Sequence, residues 1–196
     1  MNLANGENMS KIENNIEKEA VLISAKLMAG SARTAPKGRG LDRTSIRLLI
    51  GDEIVRLAEM MEKKSEKKTI GKVFKRDAKN VRNSQAILLL GVNGTVPKKP
   101  EDPINCGACG FKGCSEFMKA KKNKGEDFVG PLCVFEILDL GIAIGSAVKL
   151  ASYFNIDNRI MYTIGAAAKE LELLDSDLII GIPLSASGKN IYFDRK

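Results

Sequence analysis

Every cysteine in the chain falls within one stretch: Cys106, Cys109, Cys114 and Cys133, in the spacing C-x2-C-x4-C-x18-C. A cubane iron–sulfur cluster needs four thiolates arriving from converging directions. A tight C-x2-C turn can supply two of them, a short loop the third and a returning segment the fourth. Gly107, Gly110 and Gly113 separate the first three, and glycine lets backbone N–H groups approach an anionic cluster closely. Cys133 follows Pro131, a residue suited to a first helical turn. The positive end of a helix dipole there would favour thiolate and cluster charge. The expectation is one [4Fe–4S] cluster on these four residues.

Three other uses of the cysteines compete. Four-cysteine structural zinc sites usually present two C-x2-C knuckles, and this chain has one such pair. Disulfides need an oxidising compartment. Unrelated buried cysteines would not be expected to gather in one glycine-rich segment. The chain contains no histidine, which removes Ser-His-Asp and Cys-His nucleophiles, His-ligated zinc, Rieske centres and His-ligated haem. No catalytic residue can be named.

The elements that must position these residues follow from the pattern on either side. Ser10-Lys11-Ile12-Glu13 reads as a capping box, opening a helix whose inward face is Ile12, Ile16, Ala20, Ile23 and Leu27 and which ends at Gly30. A small, basic loop fills residues 31–40, a strand is expected over 46–50, and Asp52 caps a helix with Ile54, Leu57, Ala58 and Met61 on one face. Residues 62–68 read as a solvated helix end and 72–82 as a further helix. The apolar run 86–91 reads as a buried strand, and Pro97, Pro100 and Pro103 mark a linker out of the core. After the cysteine segment a long helix to about Phe154 should face inward with Ile137, Leu140, Ile144, Val148 and Ala151. A strand at 159–164, a helix at 166–173, a strand at 178–183 and an edge strand at 190–193 complete an α/β or α+β layered fold. One domain over residues 1–196 is expected, with 105–133 as its cluster segment.

Composition narrows the setting. The 196 residues carry a formal charge of +7, but the basic residues interleave with Glu and Asp, Trp is absent and aromatics are few, so nucleic-acid binding is not expected. The opening residues lack a basic n-region and an apolar h-region, and no stretch approaches a membrane span, so a cytoplasmic protein is expected.

The run Cys106-Gly107-Ala108-Cys109-Gly110-Phe111-Lys112-Gly113-Cys114 with its distant fourth cysteine resembles the small [4Fe–4S] domain of corrinoid iron–sulfur proteins and of electron-transport complexes. Three segments together, Ala32-Arg33-Thr34-Ala35-Pro36-Lys37, the cysteine run and Gly181-Ile182-Pro183-Leu184-Ser185-Ala186-Ser187-Gly188-Lys189-Asn190, resemble a family of small prokaryotic ferredoxin-domain proteins of unknown function. Outside the cysteine segment that family looks like a reduced nitroreductase fold. The resemblance implies a homodimer with FMN at the subunit interface, and Arg33, Thr34, Lys37 and Lys189 as the nearest counterparts of the residues that hold its phosphate. The usual Arg-x-Ser-x-Arg spacing is not reproduced, and no counterparts for the ring contacts are found.

Two functions follow. One is an oxidoreductase coupling the cluster to a flavin and a small-molecule substrate. The other is a ferredoxin-like electron carrier or redox sensor without flavin, working with an electron-transfer protein partner. Lys112, Lys119, Lys121, Lys122 and Lys124 flank the cluster segment, either to steer an acidic partner or as ordinary surface lysines.

Overall fold

The computed structural model describes the backbone of residues 4–193 and the side chains of residues 16–193. In chain order the principal elements are α1 (Ala4–Thr34), β1 (Thr44–Leu49), α2 (Asp52–Lys67), α3 (Gly71–Arg82) and β2 (Ala86–Val92). The cysteine segment contributes α4 (Cys114–Lys119), β3 (Asn123–Lys124) and β4 (Val129–Gly130). The chain then runs through α5 (Val134–Tyr153), β5 (Asp157–Asn158), α6 (Tyr162–Glu170) and β6 (Leu178–Ser185). The main sheet has the order β1-β2-β6-β5 with every neighbouring pair antiparallel.

Side chains alternate across a strand, and β2 uses that alternation to build two cores. Ala86, Leu88, Leu90 and Val92 face a layer made by α1 and α5. Ile87 and Leu89 face the opposite layer, with Leu57, Met61, Phe74 and Ile164 from α2, α3 and α6. All seven residues of β2 are buried, which is why the sequence shows an unbroken apolar run instead of alternation.

Most elements stand within a few residues of the sequence expectation, and three differ. Helix α1 is already helical before Ser10 and runs through Gly30 to Thr34; the side chains of the Ser10–Glu13 box and of Ile12 lie outside the described residues. Its expected inward face is turned outward: Ile16 and Ile23 are each 59% exposed and Leu27 is 46% exposed. The buried stripe is Val21, Ala25, Met28 and Ala32. Two apolar stripes share this helix, and the one with smaller side chains allows the close approach to α5, where the Ser31 hydroxyl donates to the Ser146 carbonyl at 3.0 Å.

The expected strand at 159–164 shrinks to a single bridge between Met161 and Gly181, and helix α6 begins at Tyr162. The reason is a close helix–sheet approach. A Cβ on Gly165 would stand 1.7 Å from the Ile179 carbonyl oxygen, and one on Gly181 1.9 Å from Ile164. Residues 191–193 form a turn and not an edge strand.

The long helix starts at Val134, with Cys133 at its N-cap and Pro131 outside it. Ile137, Leu140, Ile144, Val148 and Ala151 do pack toward the α1 layer. Residues 62–68 are less solvated than their composition suggests, because Lys64 and Lys68 both reach Asp127 in the cysteine segment.

Candidate metal centre

All four cysteines line one pocket between the segment that leaves β2 and the start of α5. They grade from surface to core: Cys106 is exposed, Cys109 and Cys114 are half-buried, and Cys133 is buried. None is in a disulfide. The lining contains no carboxylate, and its charged members are Lys98 and Lys99. Soft thiolate donors without competing oxygen ligands suit iron–sulfur or zinc chemistry and not a hard cation. The sulfurs are gathered around a pocket and not drawn onto one centre: among the described residues, no three His, Cys, Asp or Glu side chains form a ready metal-ligand group.

Local backbone chemistry explains the gathering. Asn105, Gly107 and Gly110 have φ of 53°, 74° and 87°, the left-handed region that curls a short loop back on itself. The Gly110 amide donates to the Gly107 carbonyl at 2.9 Å, closing the turn between Cys106 and Cys109. Asn105 Oδ1 accepts the Cys114 N–H at 2.8 Å, so the residue before the first cysteine holds the third. A Cβ on Gly113 would sit 3.0 Å from that oxygen. Phe117, one turn into α4, is 1% exposed and meets Phe111 edge-on with centroids 5.9 Å apart. The Lys122 ammonium donates to the Phe117 carbonyl and lies 3.8 Å over its ring, a cation–π contact.

The fourth cysteine is fixed from β2. The Cys133 amide donates to the Gly94 carbonyl at 2.7 Å. Thr95 is held in turn by Asp177, whose carboxylate accepts its N–H at 2.9 Å and its hydroxyl at 2.7 Å. Cys133 therefore stands at the positive end of a 20-residue helix.

Behind the pocket lies a buried ionic cluster that pattern reading misses. Lys98, Glu136 and Asp139 have side chains 2%, 1% and 4% exposed. The Lys98 ammonium contacts both carboxylates, Arg43 reaches Glu136 at 3.4 Å, and the Gly38 amide donates to Asp139 at 2.9 Å. Burial pushes the Glu136 carboxyl up, and the pull of Lys98 and Arg43 does not cancel it. A signal was present: Glu136 and Asp139 lie three apart on the inward face of an apolar helix, where a carboxylate must find a cation.

The expected phosphate residues are committed elsewhere. Arg33 Nη1 donates to Asp42 at 2.6 Å and to the Thr44 carbonyl at 2.7 Å. The Thr34 hydroxyl returns to the Gly30 carbonyl at 3.2 Å. Lys37, its side chain 3% exposed, donates to the carbonyls of Ala32, Arg33 and Ala35 at 2.7, 2.8 and 2.8 Å. It thus satisfies the end of α1. Lys189 is exposed in the loop after β6, beside Ser187, and the side-chain hydrogen bonds of Arg33, Thr34 and Lys37 all stay within residues 30–44. As arranged, Arg33 and Lys37 commit their charged groups to Asp42 and to the carbonyls at the end of α1.

Comparison with known proteins bears on the cysteine segment, on the residues after it and on the chain as a whole. A family model described as "Putative Fe-S cluster" matches residues 103–127, and one described as "Uncharacterized protein containing a ferredoxin domain" matches residues 129–195. A protein of Archaeoglobus fulgidus, described as uncharacterized, is 52% identical over 185 residues, covering 93% of this chain and 96% of that one. Among solved structures, a BluB-like flavoprotein from Clostridium difficile superposes with a TM-score of 0.55 at 14% identity, covering 88% of this chain and 84% of its own. Nitroreductase A from Vibrio parahaemolyticus gives 0.52 at 11% identity, covering 88% of this chain. This chain spans 61% of that nitroreductase's length. The fold is nitroreductase-like, and the sequence families support an iron–sulfur cofactor.

Proposed function

The chain belongs to the family of uncharacterized proteins containing a ferredoxin domain, and on that premise we propose that it is a redox protein whose Cys106, Cys109, Cys114 and Cys133 hold one [4Fe–4S] cluster. The observation that carries this reading is the lining of a single carboxylate-free pocket by every cysteine of the chain. When bound, such a cluster supplies one-electron transfer. The chain's own groups hold the ligands in register. Asn105 tethers Cys114, the Gly94 carbonyl tethers Cys133, and Phe117 walls the buried side. The exposed Cys106 gives electrons an edge at which to enter or leave.

The geometry favours the carrier or sensor over the flavin-coupled enzyme. Arg33, Thr34 and Lys37 already answer the end of α1 and the strand that follows, so no step is assigned to a flavin. The fold favours the second reading. A nitroreductase from Desulfovibrio desulfuricans with a TM-score of 0.50 is described in complex with FMN, and an oxidoreductase that couples the cluster to FMN and a small substrate would belong on such a scaffold. Extracting the protein and assaying the supernatant for FMN decides between them. Dithionite-reduced protein should give the electron paramagnetic resonance signal of a reduced [4Fe–4S] cluster in either case, and a silent, iron-free sample would refute both.

We read residues 1–196 as one domain with 105–133 as its cluster segment, and as half of a homodimer. Support for the dimer comes from apolar side chains turned outward on two packed helices, Ile16, Ile23 and Leu27 on α1 and Leu138 and Ile142 on α5, all more than two-fifths exposed. No described helix is long and apolar enough to cross a membrane. Four unpaired cysteines suit a reducing compartment, and the cytoplasm is the setting this reading assigns.

A further inference from the structure

The segment that carries the first three candidate ligands is strongly basic. Between Asn105 and Gly125 stand five lysines, at 112, 119, 121, 122 and 124, and a single carboxylate, Glu116. Along α2 the signs are mixed, Glu59, Glu62 and Glu66 alternating with Lys63, Lys64 and Lys67. Helix α3 is as basic, with Lys72, Lys75, Arg76, Lys79 and Arg82 against Asp77, but carries no cysteine.

Of the carboxylates flanking this segment, Glu101 is exposed with no ion pair among the described residues, and the other three are occupied. Asp102 is held by Arg39 and Lys99. Glu126 is paired with Lys68 at 2.6 Å, and Asp127 is shared by Lys64, Lys68 and Tyr162. Glu116 accepts the backbone N–H of Lys112. Lys122 is turned onto Phe117. Among the described residues, Lys112, Lys119, Lys121 and Lys124 make no ion pair or side-chain hydrogen bond, and all four are exposed.

Apolar surface accompanies the charge. Ile104, beside the pocket, is 39% exposed, and Met118, on the helix that Cys114 opens, is 50% exposed. Cys106 is the exposed member of the four cysteines. Lys124 lies apart, in a second pocket with Glu170, Glu172 and Asp175, which leaves Lys112, Lys119 and Lys121. A small apolar centre with unpaired lysines in the same segment is suited to brief, steered encounters and not to a permanent interface.

We propose that the 104–121 face is a docking surface for an acidic electron-transfer protein, with Lys112, Lys119 and Lys121 steering the acidic surface of the partner onto the exposed edge of the cluster pocket. The proposal rests on the cluster reading above and adds the chemistry of the partner.

The test is association of the cluster-loaded protein with two small one-electron carriers of opposite charge, an acidic flavodoxin and a basic cytochrome c. Flavodoxin should bind faster, with an association rate falling about tenfold between low salt and roughly 0.5 M salt, where the screening length is only a few ångströms. Two charge-reversal variants, K112E/K119E and K121E, should each slow flavodoxin at low salt while keeping iron and sulfide. Equal rates for the two carriers, a salt-independent rate, or wild-type rates in both variants would overturn the docking proposal. Iron and sulfide measured on the same wild-type sample separate this from failure of the cluster itself: their absence overturns both readings, whereas a full cluster with salt-independent binding overturns only the docking face.

Discussion

The amide of Cys133 donates to the carbonyl of Gly94 at 2.7 Å, and through this bond the end of the central strand sets the position of the most buried candidate ligand. Leu132 packs against the same glycine, where a Cβ would meet its Cδ2 at 3.2 Å and its Cβ at 3.3 Å. Gly94→Val should push Leu132 outward and carry Cys133 with it. Overpacking of this kind costs about 1–3 kcal/mol. The expected outcome is less iron retained per chain after desalting, at unchanged helix content by circular dichroism. Full retention would show that Cys133 does not depend on this contact.

Lys98 holds two buried carboxylates, Glu136 and Asp139, behind the cysteine pocket. Lys98→Met would leave both without their shared cation, and removing one member of a buried ionic group typically costs about 3–5 kcal/mol. Denaturant unfolding should register a loss of that order. Lys98 also lines the cysteine pocket, so loss of its charge should lower the reduction potential of a bound cluster, since a nearby positive charge favours the more negative reduced state.

Asp127 supplies a pH signature within the cysteine segment. Burial raises its carboxyl, but hydrogen bonds from Tyr162, Lys68 and Lys64 outweigh burial and leave it below its ordinary value of 3.8. A depressed folded pKa contributes stability that is present above pH 3.8 and is lost as pH falls through the lower folded value. Wild-type protein should therefore unfold at a higher temperature than Asp127→Asn near neutrality, and the gap should close on acidification below pH 3.8. The partner phenol moves the other way. Burial, then the hydrogen bond to Asp127, pushes Tyr162 up to about 12, so ultraviolet titration should find a late-ionising tyrosine that shifts down in the Asp127→Asn variant.

Lys37 closes the end of α1 by donating to three carbonyls. Hydrogen bonds from a charged group contribute about 1.5–3 kcal/mol each before the variant relaxes. Lys37→Met should lower the melting temperature without altering the FMN content of the purified protein. A normal melting temperature together with loss of bound FMN would restore Lys37 to a phosphate role.

The parts of this molecule that were legible from sequence are those set by local pattern. The cysteine spacing pointed to one pocket, the apolar run from Ala86 marked the central strand, and Ile54, Leu57, Ala58 and Met61 are the buried face of α2 as their period suggests. Helix α1 was misread because it carries two apolar stripes, and the choice between them is made by α5, more than a hundred residues away. The strand expected at 159–164 failed for a similar reason: Gly165 and Gly181 permit a helix to lie directly on β6. The buried cluster of Lys98, Glu136 and Asp139, with Arg43 at its edge, joins separate parts of the chain, and no single window contains it. Arg33 and Lys37 had the composition of a phosphate site, but the carboxylate and carbonyls that claim them become visible only in three dimensions.

The central claim is that Cys106, Cys109, Cys114 and Cys133 hold one [4Fe–4S] cluster, and the most direct test is the metal and sulfide content of protein purified without oxygen. About four irons and four acid-labile sulfides per chain are expected, with a broad visible absorbance that reductant bleaches, and Cys109→Ala should lose or degrade that cluster. One zinc per chain with no sulfide, or an intact cubane in the Cys109→Ala variant, would contradict the account.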